Sequence, residues 1–166
     1  MVLWECQPWP EQICHPRLLI YKRLRRMELW EGNICYGAYR IGLGAAPRGP
    51  KEREGDQRTP EGAYYVCTRN AQSQYHLAFG LSYPNAADAQ TAYKQGRVNA
   101  EQYQRIVSAI RDCKRPPWDT PLGGAIMIHG HGSQRDWTQG CIAVDDAVMD
   151  RLWQYVPLCT PVIVLP

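Results

Sequence analysis

The sequence has no long apolar run and no recognisable export signal. Residues 1–10 lack a basic start, an apolar stretch and a small-residue cleavage site, so they do not form a signal peptide. No apolar run approaches the ~20 residues that a membrane-spanning helix needs. We therefore expect no membrane span. As written, the chain is expected in the cytoplasm, and a truncated N-terminus would change that expectation to the periplasm.

The sequence also lacks the features of a disulfide scaffold or a repeat protein. Its seven cysteines are odd in number and widely scattered, and no two of them form a CxxC pair. This distribution favours free thiols in a reducing compartment. No internal repeat or low-complexity segment is present, and 166 residues suffice for one core. We therefore predict a single domain over residues 1–166.

The charge is nearly balanced, with nineteen basic and sixteen acidic side chains and a net charge of +3. The densest basic segment, residues 22–26 (Lys-Arg-Leu-Arg-Arg), is interrupted by a leucine and has no accompanying motif for stacking on bases. We read it as the solvated face of a strand. The sequence predicts no nucleic-acid partner, and we expect a monomer.

Short alternating apolar segments dominate the chain, which predicts a mostly β domain with attached helices. Asn85 and Asn99 are predicted to cap the first two helices, and Asp145 or Asp146 the third. The predicted strands cover residues 17–22, 27–30, 34–43, 63–68, 75–81, 125–129 and 160–165.

A histidine and a cysteine follow each other at a spacing that indicates catalysis. A short apolar strand ends at His129, and twelve residues later a Thr-x-Gly-Cys turn presents Cys141. A thiol attacks a carbonyl carbon only as its thiolate, so a nucleophilic cysteine needs a neighbouring imidazole as base. Gly140 lets the backbone turn tightly and leaves N–H groups free for a developing oxyanion. The pattern predicts a covalent cysteine enzyme that acts on an amide bond.

Three sequence blocks carry a resemblance to a known family. The His-Gly of residues 129–130 and the Thr-Gln-Gly-Cys-Ile of residues 138–142 resemble the active-site signature of YkuD-type L,D-transpeptidases. Residues 55–64 resemble that family's Gly-Asp-x-Arg-Thr-Pro-x-Gly-x-Tyr loop, and residues 82–88 resemble a segment of one branch. Together the resemblance spans about residues 19–166, with the blocks in the expected order.

The resemblance implies a β-sandwich of mixed sheets with an active-site cleft over one sheet. It also implies that Cys141 is acylated at an L-centre carbonyl of a peptidoglycan stem peptide, with release of the terminal D-residue. The carbonyl of Gly130 would orient His129 as general base, and the backbone N–H groups of Gly140 and Cys141 would bind the oxyanion. One departure is Ala143, where many members have Arg or Asn.

Other residues are candidates for substrate binding. His131 would share a face with His129 along an extended backbone and is the competing candidate for the base. Arg135 and Trp137 lie in the loop before the nucleophile, and Thr138 begins its turn. Arg58 and Tyr83 belong to the other two blocks, where a structural role is the alternative.

No cofactor or metal is expected, although one metal alternative remains open. His129, His131, Cys141 and Asp145 could together ligate zinc, because a His-x-His pair and a thiolate supply three ligands. That hypothesis leaves the Gly-Asp-x-Arg-Thr-Pro block unexplained. A non-catalytic domain that only binds peptidoglycan is a further alternative, but it does not explain why both the histidine and the cysteine are present.

The preferred interpretation is an L,D-carboxypeptidase that removes terminal D-Ala from tetrapeptide muropeptides during cell-wall recycling. A cytosolic enzyme would meet soluble muropeptides, and water would be its abundant acceptor. The alternative is an L,D-transpeptidase that forms cross-links or exchanges D-amino acids. An exported effector that attacks peptidoglycan is a third version of the same chemistry.

Overall fold

A computed structural model describes residues 1–166, and it consists mainly of β-strands. Three helices accompany the strands: α1 (Ala86–Lys94), α2 (Ala100–Arg111) and α3 (Asp146–Tyr155). The nine strands are β1 (Val2–Glu5), β2 (Arg17–Tyr21), β3 (Arg26–Glu31), β4 (Ile34–Arg40), β5 (Gly62–Ser73), β6 (His76–Leu81), β7 (Met127–His129), β8 (Ile142–Ala143) and β9 (Pro161–Leu165). The predicted mostly β fold with attached helices is confirmed.

The nine strands form one mixed sheet in the order β1-β4-β3-β2-β9-β5-β6-β7-β8. The β2–β9 and β7–β8 pairs are parallel, and the other neighbours are antiparallel. The long strand β5 joins two halves, because its first residues pair with β9 and the remainder pairs with β6. After β4 the chain crosses to the edge of the sheet that β8 forms. There Gly42 pairs with Ala143 of β8, and Gly44 pairs with Thr138. This return brings the segment after β4 beside the cysteine turn.

The first two helices begin where the sequence predicts. Asn85 and Asn99 each accept a backbone hydrogen bond from the third helical residue, whose side chain accepts one in return. These reciprocal bonds satisfy N–H groups that a helix start otherwise leaves unpaired. Asp145 precedes α3 without such a bond, because its carboxylate accepts instead from the backbone N–H of Ser133 at 3.0 Å. No helix in the structure has both the length and the apolarity to cross a bilayer.

One cluster of 29 buried residues forms the core and draws on both halves of the sheet. Helix α3 covers β6, with Trp153 stacked on Phe79 at 5.5 Å between ring centroids. Two strands were not predicted. β1 is an exposed edge strand without inward alternation, and β8 has only two residues, so neither carries a strong pattern in the sequence.

The expectation that every cysteine is a free thiol is wrong for one pair. Cys113 and Cys159 form a disulfide, with their Cα atoms 6.5 Å apart. Cys113 follows the end of α2 and Cys159 precedes β9, so the bond links two segments that are 46 residues apart in the sequence. Sequence spacing alone could not identify the pair, because it depends on where α2 packs. The five other cysteines are free.

A thiol titration of denatured, unreduced protein is therefore expected to count five thiols, the number of free cysteines in the structure. The Cys113→Ser variant is expected to count one more, because Cys159 would lose its partner. After full reduction the wild type should count all seven cysteines of the sequence. A count of seven before reduction would contradict the disulfide.

Candidate active site

Cys141 and His129 line the same cleft, which has a volume of about 670 Å³. Four segments form its walls: the loop between β4 and β5, the β5–β6 turn, residues 123–126, and the loop that ends at the cysteine. Polar residues and glycines outnumber apolar residues along these walls.

Two short parallel strands place the histidine and the cysteine side by side. β7 and β8 pair Ile128 with Ile142 and His129 with Ala143. Cys141 therefore enters the sheet next to Met127, whose backbone N–H donates to the cysteine Sγ at 3.4 Å. His129 follows on the neighbouring strand at the same edge of the cleft. The strand that carries His129 thus also supplies an N–H group that contacts Sγ of Cys141.

The residue before Cys141 must be glycine. Gly140 has a φ of +137°, a conformation that side chains disfavour. A Cβ atom at Gly140 would lie 2.8 Å from the carbonyl oxygen of Arg58, so backbone would have to move. Substitution here would therefore displace Cys141 relative to the cleft.

Thr138 fixes the same turn from inside. Its Oγ1 accepts from the N–H of Gly140 at 3.1 Å and donates to the carbonyl of Cys141 at 2.6 Å. The expectation that the Gly140 N–H is free for an oxyanion is therefore wrong, because Thr138 already binds it. The N–H of Cys141 has no partner in the structure, so it is the donor that remains available for an oxyanion.

His129 is almost fully buried, at 2% exposure, and one hydrogen bond sets its ring orientation. Nδ1 lies 2.8 Å from the carbonyl oxygen of Gly130, the contact that the sequence resemblance implied. Because the carbonyl can only accept, we assign the proton of the neutral ring to Nδ1. Nε2 then keeps its lone pair, as a general base requires. A Cβ at Gly130 would lie 2.3 Å from the Asp146 carboxylate, so this position also requires glycine.

Burial favours the uncharged form of both His129 and Cys141. It lowers the pKa of His129, although the Gly130 carbonyl partly offsets the effect, and the charge of His131 lowers it further. Burial also raises the pKa of Cys141, against the opposing effects of the Met127 N–H and the Lys51 ammonium. No hydrogen bond joins the imidazole to Sγ. Both pKa shifts favour a thiol and a neutral imidazole, an arrangement that suits proton transfer during attack.

The Gly-Asp-x-Arg-Thr-Pro block holds the loop that forms one wall of the cleft. The Asp56 carboxylate accepts from three backbone N–H groups, those of residues 52, 53 and 58, at 2.8–3.1 Å. It also binds the Lys51 ammonium at 2.8 Å. Thr59 Oγ1 accepts from the N–H of Gly44 at 3.0 Å. The block therefore acts as scaffold, and through Lys51 it brings one positive charge to the cleft.

The predicted substrate-binding residues divide into three groups. Trp137 and Thr138 line the cleft. His131 and Arg135 line an adjoining hollow of about 300 Å³ whose lining shares only Trp137 with the cleft. Arg58 and Tyr83 lie outside both. The Arg58 guanidinium donates to the carbonyl of residue 50, and Tyr83 is fully buried with its hydroxyl donating to the carbonyl of residue 122.

The prediction that His131 shares a face with His129 is wrong. β7 ends at His129, and His131 has a φ of +74°, which turns the chain away from the strand. Its backbone N–H donates to Asp146 Oδ1 at 2.9 Å, which holds that turn. The zinc hypothesis fails with it, because no three His, Cys, Asp or Glu side chains come together in a way that could hold a metal.

Sequence reasoning missed several residues of the cleft, among them Lys51 and Tyr75. Lys51 lies just before the Gly-Asp-x-Arg-Thr-Pro block, and its basic character together with the nearby Asp56 could have indicated a buried ion pair. Tyr75 lies in the β5–β6 turn and stacks on His129 with ring centroids 4.5 Å apart. No local pattern marks this tyrosine, because the contact joins segments that are distant in the sequence.

Comparisons with known proteins identify the family of this chain. The L,D-transpeptidase catalytic domain family, YkuD, matches residues 15–164. A protein of Escherichia coli K12 that is provisionally named L,D-transpeptidase YafK is 26% identical over 143 residues, covering 82% of this chain and 45% of its own length. The chain thus spans about half the length of the curated relatives that it matches.

Solved structures share the fold. The helical cell shape determining protein Pgp2 of Campylobacter jejuni superimposes with a TM-score of 0.61 at 24% identity, over 90% of this chain and 47% of its own. An L,D-transpeptidase of Xylanimonas cellulosilytica gives 0.54 at 15% identity, over 96% and 65% of the two chains. With the family signature matched over nearly the whole chain and its histidine and cysteine in one cleft, the protein belongs to the YkuD family of L,D-transpeptidase catalytic domains.

Proposed function

We propose that this protein cleaves peptidoglycan stem peptides through a thioester on Cys141, with His129 as general base. The observation that carries the proposal is the placement of both side chains at the edge of one cleft by the parallel strands β7 and β8. The nucleophile has an N–H donor beside it, and the base has its ring fixed by a carbonyl. Membership of the L,D-transpeptidase family supports a stem peptide as the substrate.

During acylation, His129 would accept one proton from Cys141 and later donate it to the leaving amine. As Sγ of Cys141 attacks the L-centre carbonyl carbon, its proton passes to Nε2 of His129, and the carbonyl oxygen becomes an oxyanion. The free N–H of Cys141 stabilises that charge. When the oxyanion collapses, the peptide C–N bond breaks, and the departing amine of the D-residue takes the proton from His129. The enzyme is left with a thioester and a neutral imidazole.

The thioester would then be resolved by an acceptor that His129 deprotonates. We propose water as that acceptor, which makes the protein an L,D-carboxypeptidase that removes D-Ala from tetrapeptides. Ala143 supports hydrolysis. Where many relatives carry Arg or Asn, this position is fully buried and hydrogen-bonded through its backbone to Gly42 at 2.8 and 2.9 Å. No polar side chain reaches the cleft from there to hold a second peptide.

Transfer to a D-amino group is the second candidate, supported by the family description and by the name of the YafK relative. Both candidates share the acyl-enzyme and differ only in which nucleophile resolves it. The single free oxyanion donor and the neutral resting pair serve either fate equally.

The substrate's location also enters the proposal. The expectation of a cytoplasmic recycling enzyme depended in part on the prediction that all cysteines are free thiols. Because disulfides are rare in cytosolic proteins, the Cys113–Cys159 bond removes that support. We propose the cell wall itself as the substrate. The fold similarity to Pgp2, a helical cell shape determining protein, supports this choice. Cytoplasmic muropeptides are the alternative. In the thiol titration described above, a count of five would support the cell wall as the substrate, and a count of seven would support the cytoplasmic alternative.

Incubation with a disaccharide tetrapeptide tests the proposal. We expect release of D-Ala and accumulation of tripeptide as the main product, measured by mass spectrometry. Added D-Met at millimolar concentration should divert only a minority of the acyl groups into exchanged tetrapeptide. Cys141→Ala is the matched control and should form no product. If exchanged or cross-linked peptides dominate while tripeptide remains minor, the enzyme is a transpeptidase and hydrolysis is wrong.

A further inference from the structure

We propose that Tyr75 is a positioning residue for the general base: its ring holds the His129 imidazole in the orientation that directs Nε2 to the nucleophile, and it shields that ring from water. This inference rests on the proposed function for its catalytic meaning. Tyr75 belongs to no block of the family resemblance, and only the tertiary structure places it at the base.

The β5–β6 hairpin brings the tyrosine to the histidine. Ser73 pairs with His76, so residues 74 and 75 form a two-residue turn at the hairpin tip. The ring of Tyr75 lies on the ring of His129, with centroids 4.5 Å apart and planes 24° from parallel. Both rings line the cleft. The hairpin thus covers one face of a base that is otherwise held by a single hydrogen bond.

The same residue also holds the peptide that orients the base. The carbonyl of Tyr75 accepts from the N–H of Gly130 at 2.9 Å, and the carbonyl of Gly130 lies 2.8 Å from Nδ1 of His129. Trp137 closes the arrangement edge-on, at 5.6 Å from His129 and 5.7 Å from Tyr75. An imidazole bonded only at Nδ1 could tilt about that bond. The stacked tyrosine and the tryptophan, whose ring plane is inclined by 65° to that of His129, remove this freedom.

The contact depends on the aromatic ring, because the Tyr75 hydroxyl forms no hydrogen bond in the structure. Phenylalanine should therefore preserve the arrangement, whereas leucine should not. A reacting group that is misplaced by about 1 Å can lose on the order of 10²-fold in rate. Removal of the ring would also admit water to His129, whose pKa is lowered mainly by burial. Its pKa should then rise.

The kinetic test compares Tyr75→Leu with Tyr75→Phe in tripeptide formation. We expect Tyr75→Leu to lose about 10- to 100-fold in kcat while KM changes less than about threefold, since positioning acts on the transition state. Tyr75→Phe should restore kcat to within about threefold of wild type. Tyr93→Leu is the control. Tyr93 also stacks on another aromatic ring, that of Tyr103, with ring centroids 5.2 Å apart, but neither residue lines the cleft. Thermal unfolding checks each fold, and Tyr75→Met replaces the leucine variant if that variant does not fold.

The second readout needs no turnover. An NMR titration of the His129 ring, assigned with His129→Gln, should give a higher pKa in Tyr75→Leu than in wild type or Tyr75→Phe. The neighbouring titratable groups are Cys141, His131 and Asp146 of α3, and all three are unchanged in these variants. If stem peptides are not substrates, kinetics fail in every variant, while this titration still tests the contact.

Two outcomes would overturn the proposal. One is a Tyr75→Leu variant that keeps both the wild-type kcat and the wild-type pKa of His129. The other is a Tyr75→Phe variant that loses as much rate as Tyr75→Leu, because the hydroxyl would then be the active part of the side chain.

Discussion

Replacement of Cys141 by serine or alanine is expected to abolish turnover of a tetrapeptide muropeptide while the fold stays intact. The pKa of the thiol is already raised by burial, so attack depends on proton removal by His129 at the moment of reaction. A serine hydroxyl is far less acidic and far less nucleophilic than a thiol. The half-buried side chain packs at the cleft surface, so its loss removes little apolar burial.

Product formation by mass spectrometry checks this expectation, with thermal unfolding as the test of the fold. Cys14→Ser is the matched control, since Cys14 is a free and exposed thiol that lies outside the cleft. It should retain wild-type activity. If Cys141→Ser kept an activity within tenfold of wild type, Cys141 would be ruled out as the nucleophile. A tenfold loss corresponds to an increase of only about 1.4 kcal/mol in the activation free energy.

Substitution of His129 by alanine is expected to cost at least about 10²-fold in kcat/KM, the usual scale of a general base. His131→Ala should lower kcat/KM by less than about tenfold, because the proposed base, His129, is still present in that variant. The structure separates the two residues. His129 has its Nδ1 fixed by Gly130 and its ring in the cleft, whereas His131 turns away and lines the adjoining hollow.

Steady-state kinetics of both variants on the same tetrapeptide provide the measurement. Rescue of His129→Ala by added imidazole would support the assignment of the missing base. Equal losses in the two variants, or a larger loss in His131→Ala, would transfer the role to His131. The backbone N–H of His131 contacts Asp146 in either variant, so the turn itself is retained.

Local sequence was sufficient for the parts of the fold that local interactions determine. The two asparagine caps are present as predicted, because a capping box involves only four consecutive residues. Most strands begin within a few residues of their predicted bounds, since alternation is a short-range pattern. The predicted elements therefore occur in the structure in the order in which the sequence places them, with β1 and β8 as the strands that were not predicted.

Where predictions failed, the cause lies in contacts between distant segments. The Cys113–Cys159 disulfide depends on where α2 packs against the segment before β9. The prediction for the N–H of Gly140 failed for a local reason instead, because the hydroxyl of Thr138, two residues earlier in the same turn, accepts its hydrogen bond. The direction of His131 depends on Asp146 at the start of α3, which no spacing rule on an extended strand could include.

The sequence by itself identified the two side chains that we propose as the reacting groups. His129 ends an apolar strand, and Cys141 follows Gly140 in a turn where only glycine fits, so the chemistry was readable from one short stretch. Only the tertiary structure decided how that chemistry is supported. Tyr75 reaches the base from a hairpin tip, and Lys51 reaches the cleft from a loop that Asp56 holds. Reactivity resides in side-chain type and local geometry, whereas positioning and burial arise when remote parts of the chain pack together.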